Sequence, residues 1–202
     1  MNSLVRNTLV SVAFAALCVS TAGAQNAAPA GPPQLAKEIA IARAGSMTMR
    51  VTSSAWVSGD ALPERFTQNG ENISPGIAWT KGPVGTVSYV VLAEDNGVQR
   101  PEPIPHWVVY DLPSTLTRLP QGVAVGERLE NGGMQGKNIR GEAGYVGPKP
   151  PAGQTHPYHF QVFALSSRLN LDPANADRNA VLNAMKGKVL ASGDLIGMYT
   201  GK

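Results

Sequence analysis

The sequence predicts a β-sandwich or comparable β-rich fold with one peripheral helix, and three observations carry that prediction. Several segments alternate apolar and polar residues with a period of two, or run as short Val- and Tyr-rich stretches, the patterns of half-buried and fully buried strands. The chain holds 22 Gly and 16 Pro, almost all beyond its first 24 residues, which favours turns over long helices. One segment alone, late in the chain, sets apolar residues at helical spacing behind a capping residue.

In chain order, the first 24 residues have the tripartite form of a removable leader. Met1 to Asn7 carries Arg6, Thr8 to Val19 is apolar, and Ala22-Gly23-Ala24 supplies small residues for cleavage before Gln25. The apolar stretch is shorter than the roughly 20 residues a spanning helix needs. Residues 25–45 read as a flexible tether, most plainly the Ala/Pro/Gly stretch from Gln25 to Gln34, so the domain proper is expected over 46–202. Met47 to Ser53 predicts a half-buried strand with Met47, Met49 and Val51 inward. Val87 to Ala93 and His106 to Leu112 predict central strands buried on both faces. Between them Asp95 to Pro105 holds prolines at 101, 103 and 105 and reads as a loop, because proline cannot donate to a ladder. A long Gly/Pro loop follows from Gly126 to Gln154. His156 to Ser166 predicts a strand with Tyr158, Phe160, Val162 and Ala164 on one face and His159, Gln161 and Phe163 on the other. Asp177 caps the expected helix, whose apolar face is Val181, Leu182, Met185 and Val189, and Asp194 to Thr200 closes the chain as a short strand.

Seventeen Lys and Arg against 14 Asp and Glu give a net charge of +3, with the cations spread singly. That pattern argues against nucleic acid and against a basic membrane-binding helix. Cys18, the only cysteine, lies in the leader behind Leu17, where lipoprotein signals place a small residue. Cleavage at Ala24 leaves no thiol for disulfides, catalysis or metal. The three tryptophans, Trp56, Trp79 and Trp107, read as core or pocket-wall aromatics, and Asn72 near Ser74 as a turn that bonds its own backbone.

The chemistry centres on histidine. His106 and His156 begin predicted strands directly after the Pro-rich loops, and Asp95 ends another, so the three converge if those strands share a sheet end. A carboxylate beside imidazoles fixes their tautomer and favours their protonation. On spacing alone the histidines read first as ordinary strand-end residues bonded to backbone carbonyls.

Four blocks in series alter that balance: Phe66 to Pro75 with Trp79; Val90 to Asp95; His106 to Tyr110 with Leu112-Pro113; and Gly144 to Gly153 leading to His156-Pro157-Tyr158. Together they resemble the phosphatidylethanolamine-binding proteins, in particular their bacterial Raf-kinase-inhibitor-like branch. The resemblance implies two antiparallel sheets with a short C-terminal helix and a small surface pocket for a phosphate-like anion. It places Asp95, His106, Gly147, Pro148, His156 and Tyr158 in that pocket, with no metal and no cofactor. The histidines and Tyr158 would donate to anionic oxygens, backbone N–H groups around Gly147 would approach closely, and Asp95 would orient an imidazole. Three departures stand out. Asp95-Asn96-Gly97 replaces an Asp-Pro-Asp run and lacks its second carboxylate, Gly76-Ile77 follows Pro75 where a second proline is usual, and Pro157 stands where arginine is common.

The expected function is therefore an exported, periplasmic or secreted binding protein for a small anionic or phosphorylated ligand, without catalysis. Two alternatives belong to other classes: a hydrolase using His106, His156 and Asp95 with or without a metal, and a protein-interaction or protease-inhibitor module. The leader makes a direct prediction. Intact-mass measurement on periplasmic protein should show Gln25 as the first residue, and a mature product retaining a lipidated Cys18 would overturn it.

Overall fold

The computed structural model describes residues 33–41 and 47–202. The expected leader, Met1 to Ala24, and most of the expected tether lie outside the described residues.

Among the described residues, two sheets and two α-helices make up the architecture. The strands are β1 (Met47–Thr48), β2 (Val51–Thr52), β3 (Ile77–Trp79), β4 (Ser88–Asp95), β5 (Ile104–Pro113), β6 (Arg118–Leu119), β7 (Met134–Gln135), β8 (Thr155–Leu165) and β9 (Val189–Thr200), and the α-helices are α1 (Ala36–Ile41) and α2 (Arg178–Met185). Six strands form the large sheet in the order β1-β9-β8-β4-β5-β7, and three form the small one in the order β2-β3-β6. The pairings between these strands are antiparallel, as expected, except the edge pair β1 and β9, which is parallel.

The expected central strands are β4 and β5. Val90, Val91, Val108 and Val109 suit a pleated sheet covered on both faces, and every residue of β4 is buried. Alternation then sorts the side chains into two cores. Tyr89, Val91, Ala93, Trp107, Val109, Tyr158, Phe160 and Val162 face the small sheet, where they meet Val51, Ile77, Trp79 and Leu119. Val90, Leu92, Val108, Tyr110 and Phe163 face the helices and pack against Val181, Leu182 and Met185 of α2. All three tryptophans are core residues. The buried indole of Trp107 donates to Gln135 Oε1 at 2.7 Å, and the Gln135 amide donates on to the carbonyls of Ala124 and Gly126. The early part of the long loop is anchored there.

Several expectations change. Met47 is 62% exposed rather than inward, because the chain leaves the edge of the large sheet after Thr48 and enters the small sheet at Val51, splitting the single expected strand into two. Pro105 lies inside β5, opposite Glu94, where a register shift between Ala93 and Glu94 accommodates a residue with no donor. Asp177 caps α2 as expected, its carboxylate accepting from Ala180 N at 2.8 Å, but Val189 belongs to β9, which starts well before the short strand expected from Asp194.

The end of the expected tether, residues 33–41, is docked. Leu35 and Ala36 are 2% and 0% exposed, and the segment lies against the helix-side face of the large sheet. The reason is a buried polar network that periodicity does not reveal. Glu94 accepts from Ala36 N, from Gln161 Nε2 and from Arg178 Nε, while Arg178 Nη2 reaches the Gln34 carbonyl and Gln161 Oε1 accepts from Lys37 N. Lys37 Nζ and His159 Nδ1 both donate to Asp194 Oδ2. A buried carboxylate needs such partners, and α1 supplies part of them.

Two outcomes follow. Glu94→Ala leaves Arg178 buried without its counter-ion and should lower the unfolding free energy by about 3–5 kcal/mol in urea titrations. Glu64→Ala, which breaks an exposed pair with Lys202, should leave the urea midpoint in place. Burial pushes the Asp194 carboxyl up, but His159 and Lys37 outweigh it and hold it below its ordinary 3.8. A depressed carboxyl stabilises the fold above its unfolded pKa and stops doing so as pH falls through the folded value. The α1 amides should therefore keep their hydrogen-exchange protection at neutral pH and lose it as pH drops below 3.8.

Candidate functional site

The same alternation that sends Glu94 and His159 to the helix side sends Asp95 and Tyr158 to the other face. Asp95 ends β4 and pairs in register with Tyr158 of β8 and Ile104 of β5. His156 lies beyond the end of β4, flanked only by β9 at Tyr199. The ends of three neighbouring strands thus place Asp95, His106, His156 and Tyr158 in one cluster, all of them buried.

Two imidazoles are fixed in different ways. His156 Nδ1 donates to the Asp95 carboxylate at 2.9 and 3.1 Å, and Gly97 N donates to Asp95 Oδ1 at 2.8 Å. His156 Nε2 meets the Gln154 side-chain amide at 3.3 Å. His106 Nδ1 donates to the Val146 carbonyl at 2.7 Å, and Val146 N donates back to the His106 carbonyl. That is the strand-end bond that spacing alone favours. It also sets the tautomer: the neutral His106 ring offers a lone pair at Nε2 and becomes a donor there only on protonation. Burial holds the His106 ring below the ordinary imidazole pKa, against the opposing pull of the Val146 carbonyl and the Asp95 charge.

Tyr158 stands edge-on to His106, with ring centroids 5.2 Å apart at 82°. Burial and the nearby Asp95 carboxylate push its phenol far above the ordinary tyrosine range, so it is a neutral donor. Asp95 is close enough to act on the phenol through its charge, but the hydroxyl lacks the geometry of a hydrogen bond to it. The buried hydroxyl makes no hydrogen bond among the described residues, and neither does the side-chain oxygen of Asn96 next to Asp95.

Gly147 and Pro148 follow Val146 directly and join the cluster through it, but not as donors. Gly147 N is spent on Asn72 Oδ1 at 2.7 Å, and its carbonyl accepts from Gln68 Nε2. Pro148 has no N–H, and its carbonyl accepts from Gln68 N. The expected backbone donor at Gly147 is therefore corrected. Glycine is required there for close approach, since a Cβ would lie 2.4 Å from the Phe66 carbonyl oxygen. Asn72 is corrected likewise. It adopts φ 57° in a turn, but its side chain bonds Gly147 instead of its own backbone. His159 points to the opposite face, as its register implies.

Sequence reasoning missed Gln68, Gln154, Val146 and Arg140. Neutral amides and backbone carbonyls carry no spacing signature, and Arg140 is one cation among many until the fold brings it to the site. It donates to Gln68 Oε1, and Ile139 N bonds the carbonyl of Pro105, the residue before His106. The missing second carboxylate has a visible reason, since a Cβ on Gly97 would lie 2.7 Å from His156 Cγ. Among the described residues no group of three His, Cys, Asp or Glu is placed to hold a metal ion.

Comparison with known proteins agrees with this architecture. The profile of the phosphatidylethanolamine-binding protein family matches residues 52–200. A UPF0098 protein of Methanothermobacter thermautotrophicus is 38% identical over 152 residues, covering 75% of this chain and 98% of its own length. Escherichia coli YbhB, also a UPF0098 protein, is 39% identical over 131 residues, covering 61% of this chain and 83% of its own. Among solved structures, E. coli YbcL, described as a member of the mammalian PEBP family, superposes with a TM-score of 0.70 at 30% identity, covering 77% of this chain and all of that one. CT736 from Chlamydia trachomatis, described as a PEBP homologue, gives 0.69 at 30% identity, covering 77% and 99%. With its two-sheet fold and the four sequence blocks gathered around one strand-end cluster, the chain belongs to the phosphatidylethanolamine-binding protein family.

Proposed function

We propose that this protein is an exported binding protein that holds a small anionic or phosphorylated ligand, of the phosphate or phospholipid head-group type, at Asp95, His106, His156 and Tyr158, and that it performs no chemistry on it. The observation that carries the reading is the Tyr158 hydroxyl, on a residue only 2% exposed and without a hydrogen-bond partner among the described residues. A buried polar group left unpaired costs about 1–3 kcal/mol, so the Tyr158 hydroxyl, near the Asp95 carboxylate but not bonded to it, is free to donate to an incoming oxygen. An anion supplies such an oxygen.

The charges around the cluster define how binding works. Asp95 is committed to His156 and to Gly97 N, so it orients the ring and stands back from the ligand. His106 starts neutral with a lone pair at Nε2, so an unprotonated anion binds there together with a proton taken up from solvent onto that nitrogen. Binding is thereby linked to proton uptake, and affinity rises as pH falls through the His106 pKa of the complex. Because burial holds the free ring below 6.5, affinity continues to rise below that pH before it levels. A hydrolase would use the His156–Asp95 pair as a base on water or on a protein nucleophile, and the partner of His156 Nε2 among the described residues is the neutral side-chain amide of Gln154.

Calorimetry tests this with two probes, phosphoethanolamine for affinity and sulfate, which does not titrate in the working range, for pH dependence. Sulfate should bind more tightly at pH 5 than at pH 8. His106→Ala and His156→Ala should each cost about 1.5–3 kcal/mol by removing a charge-assisted hydrogen bond. His159→Ala should leave affinity unchanged, and equal losses at all three histidines would refute the site. Tyr158→Phe should weaken binding while raising the stability of the free protein, because it deletes the orphaned hydroxyl. Turnover of a phosphate ester that vanishes in His156→Ala would replace the binding reading with the hydrolase.

A further inference from the structure

The cluster as built contains no Lys or Arg. Tyr158 is a neutral phenol, the His106 ring starts neutral, and the His156 ring is turned onto the Asp95 carboxylate. A permanent cation for an anion has to come from outside the strands. Among the charges that act on the His106 ring, Arg140 is the cation opposing Asp95.

Arg140 is held close by three separate ties. The turn that carries it is closed by Gly141 N on the Asn138 carbonyl and by Arg140 N on Asn138 Oδ1. Ile139 N bonds the Pro105 carbonyl, which pins that turn to the strand residue preceding His106. The guanidinium donates to Gln68 Oε1, and the same amide donates through Nε2 to the Gly147 carbonyl. The side chain is thus parked on a neutral amide at the rim of the cluster, its charge unmatched by any carboxylate among the described residues. A guanidinium held by a neutral acceptor has a stronger partner in any oxyanion.

We propose that Arg140 is the residue that recruits the anion and fixes its orientation, leaving Gln68 to form a forked pair with two ligand oxygens while His106 and Tyr158 hold the inner ones. This rests on the anion-binding reading above and adds to it a selectivity element: the site prefers tetrahedral oxyanions with two oxygens to spare for the fork over a monocarboxylate of equal charge.

Calorimetric titration with sulfate at low and high sodium chloride, and with methyl sulfate against acetate as a pair of equal charge, tests it on the full chain. Arg140→Ala should weaken sulfate binding about tenfold, flatten its salt dependence and reduce the preference for methyl sulfate over acetate. Arg140→Lys should restore the salt dependence without the preference, since it returns the charge but not the fork. Lys149→Ala, which removes an exposed cation without these ties, should change none of the three. Thermal midpoints equal to that of the unaltered protein, in Arg140→Ala and in a parallel Arg140→Gln, separate lost binding from lost folding. If Arg140→Ala binds sulfate as the unaltered chain does while His106→Ala does not, the recruiting role is overturned and the anion site stands. Equal losses in Arg140→Ala and Lys149→Ala would reduce the effect to general surface charge and overturn it too. No sulfate binding by the unaltered chain would remove both.

Discussion

Strand β4 is hydrogen-bonded on both edges and covered on both faces, and its period of two sets where every important side chain goes. Glu94 and Asp95 are neighbours in sequence, yet the pleat sends their carboxylates into different layers. One closes the polar network under α1, and the other orients His156. The same partition acts on β8, where His159 joins the first group and Tyr158 the second. A slip of one residue in the pairing of β4 with β8 would exchange the two sets and destroy both. The register is therefore the constraint on which the cluster and the docked N-terminal segment depend alike.

Within the cluster the backbone does much of the electrostatic work. His106 is aimed by the Val146 carbonyl, and Gly147 is drawn tight against the Phe66 to Asn72 loop by Asn72 and Gln68. Tyr145 adds a further clamp by donating to the Phe66 carbonyl, and burial pushes its phenol far up as well. Loops 66–72 and 138–148 are consequently stitched to one another and to β5. Groups on such a frame are held in place before any ligand arrives, which lowers the ordering cost of binding.

The sequence made the central strands legible because burial on two faces writes an uninterrupted apolar run, as at Val90 to Ala93 and Val108 to Tyr110. It made Asp95, His106 and His156 legible through their positions at strand ends, and Tyr158 only through the resemblance that four blocks in series supplied. Short pairings such as Ile77 to Trp79 or Met134 to Gln135 were illegible, since two or three residues show no period. The docking of residues 33–41 was illegible for another reason. Its anchors are backbone N–H and C=O groups of a plain, mostly apolar stretch, answered by Glu94, Gln161 and Arg178 from far along the chain. Pro105 misled for the complementary reason, because a local rule against proline in strands yields where a register shift removes the need for its N–H.

Gly97 ties the shape of the corner after β4 to the seat of His156. The ring of His156 occupies the volume that a side chain at 97 would fill, with its Cγ and Cβ at 2.7 and 2.9 Å from where that Cβ would sit. An acidic residue at 97 and the present seat of His156 exclude each other. Positions 97 and 156 are thus one unit of packing, and a side chain can enter at 97 only if the start of β8 gives way with it.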